Sequence, residues 1–336
     1  MKHANVALFV PHNGCPHQCS FCNQRSITGH TAQPVPQDVL RAVRVAKASL
    51  GERTKHAEIA FFGGSFTALD RGYMVSLLEA AFPFVKDGTF SGIRISTRPD
   101  AIDEEVLLLL RRYGVTVIEL GAQSMDDRVL AMNERGHTAE QVGKASSLIK
   151  QYNFTLGLQM MTGLYGDTAE GAVRTARKIA NLRPENVRIY PTLILRGTEL
   201  GRKYTAGEFQ TLSLEETVSL CASLLDFFES RHINVIRLGL HGSPELEQNL
   251  LSGPWHPAFR QLCESRRMLE RMKARLQGGH VPHGDAAVLV NPKNISTAIG
   301  QKKENIRLLE QIGYRVRILP DASVPEGGFT IYGLKE

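Results

Sequence analysis

Six short β-rich runs, each followed by an amphipathic stretch, fill the first two-thirds of this 336-residue sequence and constrain its fold more than any other feature. The pattern predicts strands over Val6–Val10, Glu58–Phe62, Gly92–Thr97, Val115–Gly121, Thr155–Met161 and Asn186–Pro191. It predicts helices over Gln37–Ser49, Tyr73–Phe82, Asp103–Tyr113, Ala139–Tyr152 and Thr168–Leu182. A sixth helix is expected over Leu214–Ser230, with Ser213 as its N-cap and Glu216 closing a capping box. Strands separated each time by a helix run parallel, joined by right-handed crossovers. Runs such as Ile59-Ala60-Phe61-Phe62 and Val117-Ile118-Glu119-Leu120 are apolar at nearly every position, as in strands covered on both faces. The count fits an α/β fold built as a partial (β/α)6 barrel better than a closed eightfold one.

Residues 233–259 add another strand and a loop punctuated by Gly and Pro, and a helix over roughly Ala258–Leu276 follows. Gln277–Asp285 (QGGHVPHGD) reads as a linker. Beyond it come a strand over Ala287–Asn291, two helices around a turn, and strands over Arg315–Leu319 and Phe329–Tyr332. Two domains are therefore expected, a barrel with its C-terminal extension over 1–276 and a small α+β unit over 277–336.

Three of the five cysteines lie within the eight residues Cys15-Pro16-His17-Gln18-Cys19-Ser20-Phe21-Cys22, just after the first strand. A cluster this tight reads as a metal site rather than a disulfide framework, whereas the isolated Cys221 and Cys263 read as small buried apolar residues. One short loop of thiolates can wrap three corners of an iron–sulfur cube and leave the fourth iron open. A zinc site completed by His12 or His17 is the other reading of the same residues. The position, at the C-terminal end of a first barrel strand, is where such folds keep their active sites.

This spacing, with the aromatic Phe21 before the last cysteine, resembles the signature of the radical S-adenosylmethionine (SAM) superfamily. The resemblance implies an enzyme with a 4Fe–4S cluster on Cys15, Cys19 and Cys22 and with SAM chelated on the open iron. Electron transfer into the sulfonium would break a C–S bond and yield a deoxyadenosyl radical that abstracts hydrogen from substrate. An electron donor such as a flavodoxin or ferredoxin is implied as a partner. In such proteins a turn like Phe62-Gly63-Gly64-Ser65-Phe66 offers backbone groups to the methionine moiety, and glycine permits that close approach. Polar residues at the other strand ends would line the rest of the SAM site. With the turn residues Gly63, Gly64 and Ser65, the candidates are His12, Phe21, Arg98, Gln123, Ser124, Arg135 and Gln159, while Thr138 is also a plausible helix cap.

Ser96-Thr97-Arg98-Pro99-Asp100, the segment Asn133 to Thr138, and Tyr190-Pro191-Thr192 through Arg196-Gly197-Thr198 resemble the catalytic subunit of Elongator. That family is a radical SAM tRNA-modifying enzyme acting on the wobble uridine, and the resemblance runs from about Val6 to Arg260. Two departures matter. The first cysteine spacing is shorter here, and the acetyltransferase domain of that family has no counterpart in this sequence. Carboxymethyl transfer from acetyl-CoA is therefore not implied, and the substrate does not carry over.

Near the C-terminus, Ile295 to Ile306 precedes an amphipathic helix and resembles a KH domain, whose Gly-x-x-Gly loop clamps an RNA backbone. Here the loop reads Gly300-Gln301-Lys302-Lys303, so lysine replaces the last glycine. Gly300, Lys302 and Lys303 are the candidate RNA contacts. Of the formal net charge of +6, the stretch from Arg260 to Ile318 holds twelve Lys/Arg against five Asp/Glu, which favours a polyanionic partner such as RNA, plausibly tRNA. No apolar run approaches the length of a membrane span, and the N-terminus does not read as a signal peptide, so a cytoplasmic protein is expected. Modification of RNA is the leading functional expectation. A haem-handling protein like the oxygen-independent coproporphyrinogen oxidases shares the cysteine loop, and a non-catalytic iron–sulfur RNA-binding protein is the third alternative.

Overall fold

The computed structural model describes residues 4–11, 13–15, 18–23, 32–280 and 282–333. The apolar runs form one parallel sheet of β1 (Ala4–Val10), β2 (Ala57–Gly63), β3 (Gly92–Thr97), β4 (Val115–Gln123), β5 (Thr155–Thr162) and β6 (Asn186–Pro191). After the two-residue β7 (Ile194–Leu195), β8 (Asn234–Leu238) joins the same sheet beside β6. The order β1-β2-β3-β4-β5-β6-β8 leaves β1 and β8 as edges, so the barrel is partial. The expected six-unit order is present, with a seventh strand added. That strand is short, and its Ile236 is 40% exposed, which weakens its apolar pattern. A layer of branched residues crosses the sheet in register: Val6 opposite Ile59, Ile59 opposite Ile93, Ile118 opposite Leu156, and Val187 opposite Val235.

Side chains capable of satisfying free N–H groups start several of the helices. Asp103 accepts from the Val106 amide, Thr168 from Gly171, and Thr198 from Gly201. Thr138 caps the helix Ala139–Gln151 in a full capping box with Gln141. The helix Leu214–Glu229 begins directly after Ser213. β9 (Leu250–Ser252) pairs antiparallel with β7.

The sheet also carries a row of buried charges. Arg94 donates to Glu58 at 2.6 Å and to Glu119 at 2.7 Å. Arg188 donates to both carboxylate oxygens of Glu119, at 2.5 and 2.8 Å, and Gln159 adds a bond at 2.9 Å. These residues sit on β2, β3, β4, β5 and β6, so the chain of bonds crosses five strands.

The chain divides into two compact units, residues 1–213 with 228–255, and residues 214–227 with 256–336. The second contains a three-stranded sheet in which β10 (Gly284–Val290) lies between β11 (Tyr314–Pro320), parallel to it, and β12 (Phe329–Gly333), antiparallel. The helix Phe259–Arg275 belongs to this unit, so the boundary expected at 276 falls inside it. The physical reason is the buried face of that helix: Met268, Leu269 and Met272 share one core with Val288, Leu309 and Tyr314. Cys221 and Cys263 are fully buried here, and the hydrogen bond between them together with burial holds the Cys263 thiol well above its usual range. Among the described residues no helix is long and apolar enough to cross a membrane.

Candidate active site

The cysteine loop leaves β1 and packs at once against the Gly63-Gly64 turn at the end of β2. The Gly64 amide donates to the Val10 carbonyl at 2.7 Å, and the Ser65 amide to the Asn13 carbonyl at 3.0 Å. A Cβ on Gly64 would stand 2.0 Å from the Asn13 oxygen, and one on Gly14 would stand 2.2 Å from the Ser65 oxygen. The paired glycines are thus required by the approach of two backbone segments to each other. His12, Pro16 and His17 lie outside the described residues.

Further along, Ser20 anchors the loop at three points. Its hydroxyl donates to Asn133 Oδ1 and its amide to the Asn133 carbonyl, both at 3.2 Å, while its carbonyl accepts from the Leu200 amide at 2.7 Å. Asn133 is itself fixed, donating to the carbonyls of Val129 at 2.8 Å and Tyr165 at 2.9 Å. The Asn23 amide reaches the Arg196 carbonyl at 3.4 Å.

Cys15, Cys19 and Cys22 line one pocket together with Phe21, Gly63, Gly64, Arg98, Gln123, Arg135 and Gln159. Most of the sequence-derived candidates thus converge on one place. Ser65 and Ser124 are not part of that wall. The Ser65 hydroxyl bonds to Thr97 at 2.9 Å and accepts from the Arg98 amide, and the Ser124 hydroxyl accepts from the Asp126 amide at 3.1 Å. Both are buried, and their hydroxyls serve neighbouring turns. Ser96 and Thr97, at the end of β3, also line the pocket, and Gln18 and Gly121, which were not among the candidates, complete the wall. A glycine inside the apolar run of β4 was the available signal for Gly121. A Cβ there would stand 3.0 Å from Gln123 Nε2 and 3.3 Å from Arg135 Nη2.

Among the described residues, several polar atoms in this region have no partner. Arg98 binds the Asp100 carboxylate through Nε and Nη2, both at 2.9 Å, and leaves Nη1 buried and unpaired. Gln123 sits at φ 64°, beside a register shift in β4, with Oε1 unpaired. A bulge at a strand end re-aims a side chain in this way. Phe21 also packs against the small cluster of Val129, Met161 and Leu164.

Burial, and then the nearby Cys19, push the Cys15 thiol up, against the pull of Arg98 and Arg135. Burial opposes ionisation of Asp100, but the hydrogen bonds and charge of Arg98 hold its carboxyl below the usual range. His137, which bonds the Ala122 carbonyl at 3.2 Å, is lowered from 6.5 to about 4, first by burial and then by the charge of Arg135. It is neutral at physiological pH. Because the unfolded chain binds that proton more readily, stability is lost as pH falls from 6.5 towards 4. The loss from this one group is roughly 3 kcal/mol, and His137→Gln should remove that part of the pH dependence in urea unfolding of the cluster-free protein. Parallel pH profiles for the two proteins would refute the assignment.

The donor set suits a multi-iron cluster. Three thiols share the pocket, and cysteine thiolates are the usual ligands of iron–sulfur clusters. Ligands set at separate corners are what a cube of iron and sulfide requires. The unpaired Arg98 Nη1 and Gln123 Oε1 offer a donor for a carboxylate and an acceptor for an amine or hydroxyl. Cys15, Cys19 and Cys22 can therefore hold such a cluster, with an amino-acid moiety beside it.

Comparison with known proteins points to the same class of cofactor chemistry. Residues 184–271 match the radical SAM C-terminal domain. Human Elongator complex protein 3 is 30% identical over 268 residues, covering 66% of this chain and 49% of that protein. A tRNA uridine(34) acetyltransferase of Methanocaldococcus jannaschii is 26% identical over 258 residues, covering 65% of this chain and 47% of that protein. The chain thus spans about half the length of these curated relatives. An N-terminally truncated archaeal Elp3 from Methanocaldococcus infernus shares the fold with a TM-score of 0.61 at 20% identity, covering 82% of this chain and 63% of that one. Residues 9–179, half of the chain, match the radical SAM superfamily itself: the chain belongs to that superfamily of enzymes, whose cofactors are a 4Fe–4S cluster and SAM.

Proposed function

We propose that this enzyme begins the modification of a tRNA by hydrogen abstraction, with Cys15, Cys19 and Cys22 as cluster ligands. One observation carries the reading. The three Elongator-like segments all converge on the cysteine loop or its pocket: Arg98 lines the pocket, Asn133 and Arg135 hold Ser20 and Cys19, and Arg196 holds Asn23. The relatives named for tRNA and for Elongator supply the substrate class.

When bound, the cofactors supply reductive cleavage of a sulfonium C–S bond and, from it, hydrogen abstraction. The protein's part is position and exclusion of water. Arg98, its guanidinium plane fixed by Asp100, would hold the SAM carboxylate through its free N–H. Gly63 and Gly64 would present backbone to the methionine moiety, and Gln123 and Gln159 would take up remaining polar groups. A neutral His137 adds no charge beside the two arginines.

The second unit is proposed to grip RNA. Gly300, at φ 77°, opens a loop between the helices Ile295–Ile299 and Glu304–Gln311, and the side chains of Lys302 and Lys303 are exposed. Lys303 stands where the pattern has glycine and still adopts φ 61°. A Cβ on Gly300 would meet Asn305 at 2.9 Å. Replacing both lysines with Ala should weaken tRNA binding and lower its salt slope by about one unit per lost phosphate contact. An unchanged slope would reduce this loop to scaffold.

The deciding experiment is anaerobic reconstitution, then dithionite and SAM with and without bulk tRNA. Deoxyadenosine is quantified and the tRNA nucleosides are examined by mass spectrometry. Stimulation by tRNA together with a mass change in a uridine nucleoside is expected. Deoxyadenosine formed at equal rate with and without tRNA, with no altered nucleoside, would refute the substrate class.

A further inference from the structure

Arg135 differs from the other buried guanidinium of the pocket. Arg98 is bound to its own carboxylate, Asp100. Arg135 is 7% exposed and, among the described residues, pairs with no carboxylate. It donates through Nη1 to Cys19 Sγ at 3.1 Å and through Nη2 to the Gly121 carbonyl at 2.7 Å. Cys19 is 7% exposed, so the contact is shielded from solvent. Both partners are located by the same anchor: Asn133, two residues before Arg135, holds Ser20, the residue after Cys19. The missing side chain at Gly121 leaves room for Nη2.

We propose that Arg135 is a positioning residue that sets the reduction potential of the cluster through the Cys19 sulfur. The inference rests on the cluster-ligand reading above. Reduction adds one electron, from an external one-electron donor, to a group whose charge is shared by its thiolate ligands. A charged N–H donor on one of those sulfurs stabilises the more negative state and raises the potential. Low local polarity strengthens the effect. Arg135 thereby makes the cluster reducible by a milder donor, while Arg98 remains available for SAM.

The test compares wild type with Arg135→Gln and Arg135→Lys after reconstitution. Iron content and visible absorbance are measured first, then the midpoint potential by titration followed by electron paramagnetic resonance, without SAM. Arg135→Gln is expected to load iron fully. Poised at the wild-type midpoint, its reduced-to-oxidised ratio should fall about tenfold, a shift of about 59 mV for one electron. Arg135→Lys, which keeps the charge, should shift less. A fully loaded Arg135→Gln with an unchanged midpoint overturns the proposal. If that variant loads no iron, wild-type protein with isotopically labelled arginine nitrogen decides. Hyperfine coupling of that nitrogen to the reduced cluster supports the contact, and its absence refutes it. Wild-type protein that takes up no cluster refutes the ligand reading itself, a result distinct from an unmoved potential.

Discussion

Cys19→Ala is expected to abolish both the brown absorbance of the reconstituted cluster and the formation of deoxyadenosine, while the chain still folds. The three thiols have unequal surroundings. Cys19 is buried, whereas Cys15 and Cys22 are half-buried. Loss of its sulfur removes a cluster corner and leaves Arg135 Nη1 without an acceptor. An unsatisfied buried donor costs about 1–3 kcal/mol, too little to unfold a chain of this size but enough to loosen the loop. Circular dichroism should therefore be near native while iron per chain and activity collapse. Full iron loading in Cys19→Ala would refute the ligand assignment.

Glu119→Gln should be the most destabilising single substitution in the sheet, by about 3–5 kcal/mol. The Glu119 side chain is 1% exposed and lies between Arg94 and Arg188. Burial disfavours its charge, yet the bonds and charge of Arg188, with Arg94 and Gln159, hold the carboxyl below its usual range. Removing the charge leaves Arg94 with Glu58 alone and Arg188 with no carboxylate among the described residues. Gln159, which lines the pocket and donates to Glu119, would lose its charged acceptor as well. Urea unfolding measures the loss. A change under about 1 kcal/mol would mean that water or relaxation compensates the arginines, and the row of charges would then be incidental to stability.

Much of this was legible beforehand because local pattern and local chemistry carry it. The βα order followed from apolar runs and helix-starting residues such as Asp103 and Thr168, whose effects act within a few positions. The thiol set followed from three cysteines in one loop. The seventh strand was harder to place. Its existence could be read, but its neighbour could not, since pairing with β6 is a choice among edges separated by a long crossover. The unit to which the helix Phe259–Arg275 packs was not legible for a similar reason: periodicity identifies an apolar face without saying which core it covers.

The same division runs through the site. Sequence alone determined which residues had the chemistry: thiols for iron, arginines for charge, and glycines where bulk is forbidden. Tertiary structure decided their use. It turned Ser65 and Ser124 inward as supports, aimed Gln123 into the pocket through a strand irregularity, and assigned Arg98 to Asp100 while laying Arg135 on Cys19. It also joined Glu58, Arg94, Glu119, Gln159 and Arg188, drawn from five strands, into one neutralised row. The physical reason is range. Propensity and motif chemistry act along the chain, but the pairing of buried charges and the direction of a donor depend on groups brought together only when the sheet closes.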